Sequence, residues 1–500
     1  MTPLKASMSF NYLMLSDVHL GADLVQHAAP WTAHRLAEPL PIDDELSGML
    51  AHYRASADPD RPWKLVLAGD VIDLVGMSIS PDEADALDLT AEERRHGLGA
   101  SLRHSAIKMR AVVRRHARFF EALAGFVADG HHVVIVRGNH DVELYWPSVR
   151  REFRKALVEH SGGRLDRSTV KERVRFRHWF YYEESLLYVE HGHQYDETCA
   201  YHHVLAPLSP DDPERLSYSF SDILLRYIVR PTRGLSSDGH ENRTMLDYLR
   251  MALSMGIVGC AQLASRFFRA IGRMFLAWWA HTGERARAIR VEHERQMHRI
   301  AQRLRLSMEE IKAIASLAAA PVTGDLLRIT RSTFLDGLSA ITLTGTLLAV
   351  LAWFSVVPLV YLPLVALAVA LPLFAWMKSS TVFDPGTSLV QGARAIAGLL
   401  PARFVVMGHT HVPRFERIAS GVTYVNLGFW AGDDVDNPGP PAPRSHLVIR
   451  NVDGAYVAEL LGWQPGIGPH ALVEDVQSGV HTMPCVSPPD GPDPVDTLAS

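Results

Sequence analysis

Residues 133 to 136, Val-Val-Ile-Val, are β-favouring and apolar, and the run gives way within a few residues to three polar side chains, Asn139, His140 and Asp141. The same pattern recurs in NYLMLSD to Asp17, KLVLAGD to Asp70, LLYVEHG to Gly192 and FVVMGHTH to His411. Each predicts a short buried strand that ends by presenting polar groups. Between the first three lie helix-like stretches, notably 101 to 129, where apolar residues return at three- and four-residue spacing. That alternation predicts an α/β (α+β) architecture. After 411 the pattern turns to strands alone, with TYVNLGFW, RSHLVIRNVDG and AYVAELLGW reading as a closing, mostly antiparallel run.

The middle of the chain differs. Residues 210 to 336 are helical in pattern, and Ser307 with Glu310 offers a capping box. From Gly337 to Met377 there is no charged side chain. Beyond 465 the composition of Pro, Gly and Asp predicts a disordered tail. The expected organisation is therefore a first catalytic segment over 1–209, a helical insertion over 210–336, a hydrophobic hairpin over 337–377, a second catalytic segment over 378–464, and the tail.

Composition narrows the function classes. A net charge of -5 gives no general attraction to nucleic acid, which is not an expected partner. The 3 cysteines, Cys199, Cys260 and Cys485, are far apart and suggest neither a disulfide framework nor a zinc finger. The N-terminus has no apolar run of signal-peptide length before Asp17, so export of the N-terminal part is not expected and a cytosol-facing setting fits.

Histidine is the unusual component, 25 in all, several at strand ends. The strand-end residues are Asp17 and His19, Asp70 and Asp73, Asn139, His140 and Asp141, His191, and His409 with His411. Carboxylate, amide oxygen and imidazole without thiolate suit Mn, Fe or Zn. Asp-x-His and His-x-His on an extended segment turn both side chains to one face. Seven ligands exceed one ion's needs but suit two divalent ions sharing a carboxylate, and a pair roughly 3.5–4 Å apart is a common device for displacement at phosphorus.

The motifs D-x-H, G-D-x-x-D, G-N-H-D, H-G and G-H-x-H, in that order, resemble the calcineurin-like metallophosphoesterase superfamily over about residues 10–200 and 400–463. The resemblance implies a β-sandwich flanked by helices, here with a large helical insertion. It implies that Asp17, His19, Asp70 and His411 hold one metal and Asp70, Asn139, His191 and His409 the other, with Asp70 bridging. It also implies that His140 faces the substrate, stabilising charge and protonating the leaving oxygen, with Asp141 orienting its imidazole. Glycines 69, 138, 192 and 408 would permit tight turns there. Asp73 is read as an outer hydrogen-bond acceptor and His193 as a satisfied turn residue. More weakly, the arrangement is similar to UDP-2,3-diacylglucosamine pyrophosphatases, which carry Arg in place of His140 and lack the large hydrophobic insertion.

The run 337–377 is about twice the ~20 residues that span a bilayer as a helix, and Pro358 and Pro363 divide it. It reads as two transmembrane helices, about 338–356 and 360–377, with a re-entrant or a buried core hairpin as alternatives. Because His191 precedes it and His409 follows, the chain must return to the side it left. Arg328, Arg331 and Lys378 would lie inside. Residues 266 to 279 suit either an interfacial helix or one packed on the domain. The expectation is a two-metal phosphoesterase at the cytoplasmic face of the inner or plasma membrane. It would use a metal-activated hydroxide on a phosphate-containing small molecule or lipid, including a lipid-linked or nucleotide-sugar pyrophosphate. The alternatives are a phosphatase for a soluble or protein phosphomonoester, and a membrane scaffold with a vestigial metal site.

Overall fold

The structure, a computed structural model, describes residues 10–24, 41–79, 89–232, 256–333, 384–431, 444–452 and 454–472, with isolated positions 346, 367–368 and 485–486. The strands in chain order are β1 Asn11–Leu15, β2 Trp63–Ala68, β3 His132–Val136, β4 Val174–Arg177, β5 Phe180–Glu183, β6 Leu187–Glu190, β7 Phe404–Met407, β8 Arg414–Ala419, β9 Val422–Asn426, β10 His446–Val452, β11 Ala455–Gln464, β12 Gly468–Ala471 and β13 Cys485–Val486. They form two mixed sheets: one ordered β12-β11-β10-β1-β2-β3-β4, with β13 on β11, and one ordered β5-β6-β7-β9-β8. The α/β class is as the alternation predicts.

In the first sheet β1, β2, β3 and β4 are parallel, so the turns that follow β1, β2 and β3 emerge side by side. In the second, β6, β7 and β9 are parallel. The strands read as unbroken apolar runs because both faces of each sheet are covered. Leu13, Leu15, Leu65, Leu67, Val133 and Ile135 pack with helices Pro41–Ala55 and Ala117–Ala128. The alternate residues, Tyr12, Met14, Val66, Ala68, Val134 and Val136, share a cluster with Leu187, Val189, Phe404, Val406 and Val425 of the other sheet. The outer face of that second sheet, with Tyr188, Val405 and Tyr424, meets helices Pro385–Leu399 and Met308–Ala315. The order of layers is helices, sheet, sheet, helices.

The expected helix 101–129 is two helices, Leu102–Arg115 and Ala117–Ala128, broken at His116. His116 is committed to side-chain bonds there, its Nε2 accepting from Gly21 N at 2.9 Å and its Nδ1 lying 2.8 Å from Asp43. The Ser307–Glu310 capping box is present. The tail expectation needs trimming, since Gly468–Ala471 is a strand paired with β11.

The membrane expectations are corrected. Among the described residues no helix is long and apolar enough to cross a membrane, so the membrane location is not supported. The 27-residue helix Gly256–Thr282, for which an interfacial and a packed reading were both open, packs on the domain. Its Ala270, Ile271 and Met274 are buried, with Ala270 and Met274 in a cluster with Phe220, Tyr227 and Ile329. Its Arg266 donates to Thr232 at 2.8 Å, and its Arg273 to Tyr227 and Glu92. The expected hairpin itself lies outside the described residues, save 346 and 367–368.

Candidate functional site

The parallel turns after β1, β2 and β3 are stitched by backbone bonds: Asp17 N–H donates to Gly69 O at 3.1 Å, His19 N–H to Asp70 O at 3.0 Å, and Leu74 N–H to His140 O at 3.0 Å. The turns after β6 and β7 join through Gly408 N–H to His191 O at 3.0 Å. His409 N–H then reaches Asp17 Oδ2 at 3.2 Å, tying the two sets of turns together. Gly138 is required by close approach, because a Cβ there would lie 2.1 Å from Asp70 Oδ1.

Asp17, His19, Asp70, His409 and His411 all hold left-handed backbone, with φ of 53°, 52°, 51°, 72° and 59°. Non-glycine residues in that region carry strain of order 1–3 kcal/mol each and persist only where surrounding structure enforces them.

The side chains converge in groups whose ligand atoms lie within 4.8 Å of one another. One group is Asp17, His19 and His411; another is Asp70, His191 and His409. Asn139 joins the second, its Oδ1 3.1 Å from His191 Nε2, while Asp70 Oδ2 lies 3.0 Å from the same nitrogen. A third group, His19, Asp73 and His140, adjoins the first, with the His19 and His140 rings 4.6 Å apart. All seven sequence-derived ligands thus fall in one region. Of their side chains only His411 is substantially open, at 27%.

This donor set fits a metal centre. Buried polar atoms are normally hydrogen-bonded, yet His19 Nε2 is buried without a hydrogen-bond partner, and Asp17 Oδ1 has only the His411 ring, 3.3 Å away, and the His191 ring, 4.0 Å away, near it. His191 Nδ1 lies 3.0 Å from Ala68 O, which makes it the donor and leaves Nε2 facing the carboxylates. Burial opposes ionisation of Asp17 and Asp70, but His191 beside both, with His411 at Asp17 and His140 at Asp70, holds their carboxyls below the usual range. Burial likewise disfavours a charged His191, and Asp70 and Asp17 outweigh it, raising the imidazole to about 9. Such mutual dependence marks buried charge that needs a counter-charge.

The site departs from expectation at Asp141 and His193, while Asp73 is the outer hydrogen-bond acceptor expected. Asp141 does not orient His140. Its carboxylate accepts from Gly138 N–H at 2.6 Å and Val71 N–H at 3.0 Å, bracing the two turns, and burial with the nearby Asp70 pushes it up to about 7. His140 Nδ1 instead meets Asp73 Oδ1 at 2.9 Å, so Asp73 is the orienting acceptor. Burial disfavours charge on His140, but Asp73 and Asp70 override it and raise the pKa to about 10. His193, expected as a satisfied turn residue, is buried with neither ring nitrogen paired, its ring 5.5 Å from that of His191.

Two partners were missed. Asp196 Oδ2 lies 3.1 Å from His409 Nε2 and, with Cys199, forms a further close group with His409. Its position within HGHQYD was the only signal. Arg230, 157 residues from Asp73, donates to Asp73 Oδ2 at 2.7 Å, a contact with no local signature. Compared with protein-family models, curated proteins and solved structures, the chain finds no match.

Proposed function

We propose that the protein is a two-metal phosphoesterase of the calcineurin-like type, hydrolysing a P–O bond in a phosphate ester or anhydride. The observation that carries this reading is the set of five strained non-glycine residues, Asp17, His19, Asp70, His409 and His411, gathered from the strand ends of both sheets. Asp17, His19, Asp70 and His411 would hold one cation, and Asp70, Asn139, His191 and His409 the other. When bound, two divalent ions of Mn, Fe or Zn would supply Lewis acidity toward phosphoryl oxygens and an activated water.

The chain's own groups do the rest. His140, whose imidazole the carboxylates of Asp73 and Asp70 push up against burial, is suited to carry the proton a general acid needs and stands beside His19 at the edge of the first ligand group. It can donate to the departing oxygen while Asp73 holds the ring by Nδ1. Asp196 accepts from His409 Nε2, leaving Nδ1 of that ring as the coordinating nitrogen.

The test is to load purified protein with Mn, Fe or Zn in turn, count bound ions and measure hydrolysis of an aryl phosphate. Two ions per chain and metal-dependent turnover are expected, with both ions depleted in Asp70→Asn. Wild-type protein that binds no divalent ion, or an Asp70→Asn protein with full metal content and unchanged turnover, would overturn the reading.

A further inference from the structure

A recess that meets Asp73 through Arg230 is lined by Gly76, Ser78, Arg95, His96, Arg226 and Arg230 among others. The insertion supplies two of its three arginines, Arg226 and Arg230. Arg226 belongs to a π-helical turn, Leu225–Val229, and Arg230 caps it; such turns are rare and frequent at functional sites. Arg226 is fixed by donating to Gly97 O at 2.9 Å and Leu98 O at 3.1 Å. Arg230 is fixed by Asp73, and Gly76 makes room for that pair, since a Cβ there would lie 2.2 Å from Arg230 Nη2.

The recess has more positive than negative charge to offer. Two carboxylates border its arginines, Glu92 and Asp73, and each is already divided. Glu92 serves Arg273 and lies 3.5 Å from Arg226, while Asp73 serves Arg230 and His140. Arg95 has no carboxylate partner among the described residues. Arg230 Nε and His96 Nδ1 are buried without hydrogen-bond partners. Burial, with Arg226, Arg269 and Arg95 close by, holds His96 down to about 4. Buried donors left unpaired, on arginines pinned by other bonds, form a ready receptor for a phosphate oxygen.

We propose that this recess is an anion subsite of the catalytic centre and takes a second phosphate group, so that the preferred substrates carry two phosphoryl groups rather than one. The assignment rests on the phosphoesterase reading. Arg230 joins the two places physically: one end of Asp73 holds the catalytic imidazole and the other holds the subsite's arginine.

Two measurements separate this inference from its premise. Binding of inorganic phosphate to the Asp70→Asn protein, whose metal centre is disabled, reports the recess without turnover. Arg95→Gln on that background should weaken binding by about tenfold, whereas Arg94→Gln, one residue away and outside the recess, should not. In the otherwise native enzyme, the kcat/KM ratio for a sugar bisphosphate over its monophosphate should exceed one and fall by about tenfold in Arg95→Gln. Phosphate binding and substrate ratio both indifferent to Arg95→Gln would overturn the subsite. Phosphate binding that depends on Arg95, in a protein that hydrolyses no phosphoester with any metal, would support the anion site while removing its role in catalysis.

Discussion

His140 and Asp73 form the pair on which the proposed chemistry turns: Nδ1 of the ring lies 2.9 Å from Oδ1 of a carboxylate that is 1% exposed. The histidine comes from the turn after β3 and the aspartate from the turn after β2, so the pair exists only because those strands are adjacent and parallel.

His140→Ala should therefore keep its metal content and lose turnover by ~10²–10⁴-fold, the range for a general acid. Aryl esters with good leaving groups should suffer least. In Asp73→Asn the larger of the carboxylate contributions that raise the imidazole is gone and Asp70 is left against burial, so the pKa of His140 falls from about 10. Because the protonated form is the active one, the alkaline limb of the pH–rate profile should move to lower pH. An unmoved limb would exclude the pair as the source of that proton.

Asp196→Asn should weaken metal binding at the His409 position by ~10–100-fold, as loss of an outer partner of a coordinating histidine does. A chelator titration of wild type and variant would measure it. Equal chelator resistance would relegate Asp196 to support of the turn after β6.

Stability depends on a different pair. Lys108 donates to Glu143 at 2.9 Å and to Leu74 O at 2.7 Å, with side-chain exposures of 1% and 0% for the two ionic partners. Removing one partner strands a buried charge, so Lys108→Met should destabilise by ~3–5 kcal/mol. The double variant Lys108→Met/Glu143→Leu should recover much of that loss in urea unfolding. A single variant as stable as wild type would mean that water reaches Glu143.

The many histidines predict acid sensitivity. Burial holds His446 down to about 3 and, with neighbouring histidines, His202 to about 3; burial also holds His132 and His203 to about 4. These rings stay neutral in the folded chain but protonate near 6.5 when unfolded. Their contribution is full above that value and is lost as pH falls toward 3–4. The thermal midpoint should drop between pH 7 and 4, less so in His446→Gln, whose parent ring lies 2.7 Å from Tyr53 Oη. A midpoint constant over that interval would refute the linkage.

Much of the site was legible because each ligand follows an apolar run, and a parallel strand buried on both faces has no other reason to end in Asp-x-His or Asn-His-Asp. Asp73 was legible as an outer acceptor, but which of Asp73 and Asp141 orients His140 was not. Asp141 adjoins His140 but turns back to the amides of Gly138 and Val71, whereas Asp73 meets His140 only through strand adjacency. Arg230 was invisible for the same reason, magnified by distance along the chain. For residues 266 to 279 the interfacial and the packed readings both stayed open in sequence, because hydropathy does not distinguish a cation facing lipid phosphate from one donating to Glu92.

The central place of β1 has a consequence for biosynthesis. Asn11–Leu15 is among the first segments to leave the ribosome, yet its neighbour on one side, β10, begins at His446. Likewise β6 must wait for β7, from Glu190 to Phe404. Neither sheet can reach its final register until nearly the whole chain exists, which places this protein among slow, non-local folders. The long intervening segment adds little to that burden, because closure entropy grows only logarithmically with length. What the nascent chain requires is protection of β1, β2 and β3 while their partner is still being made.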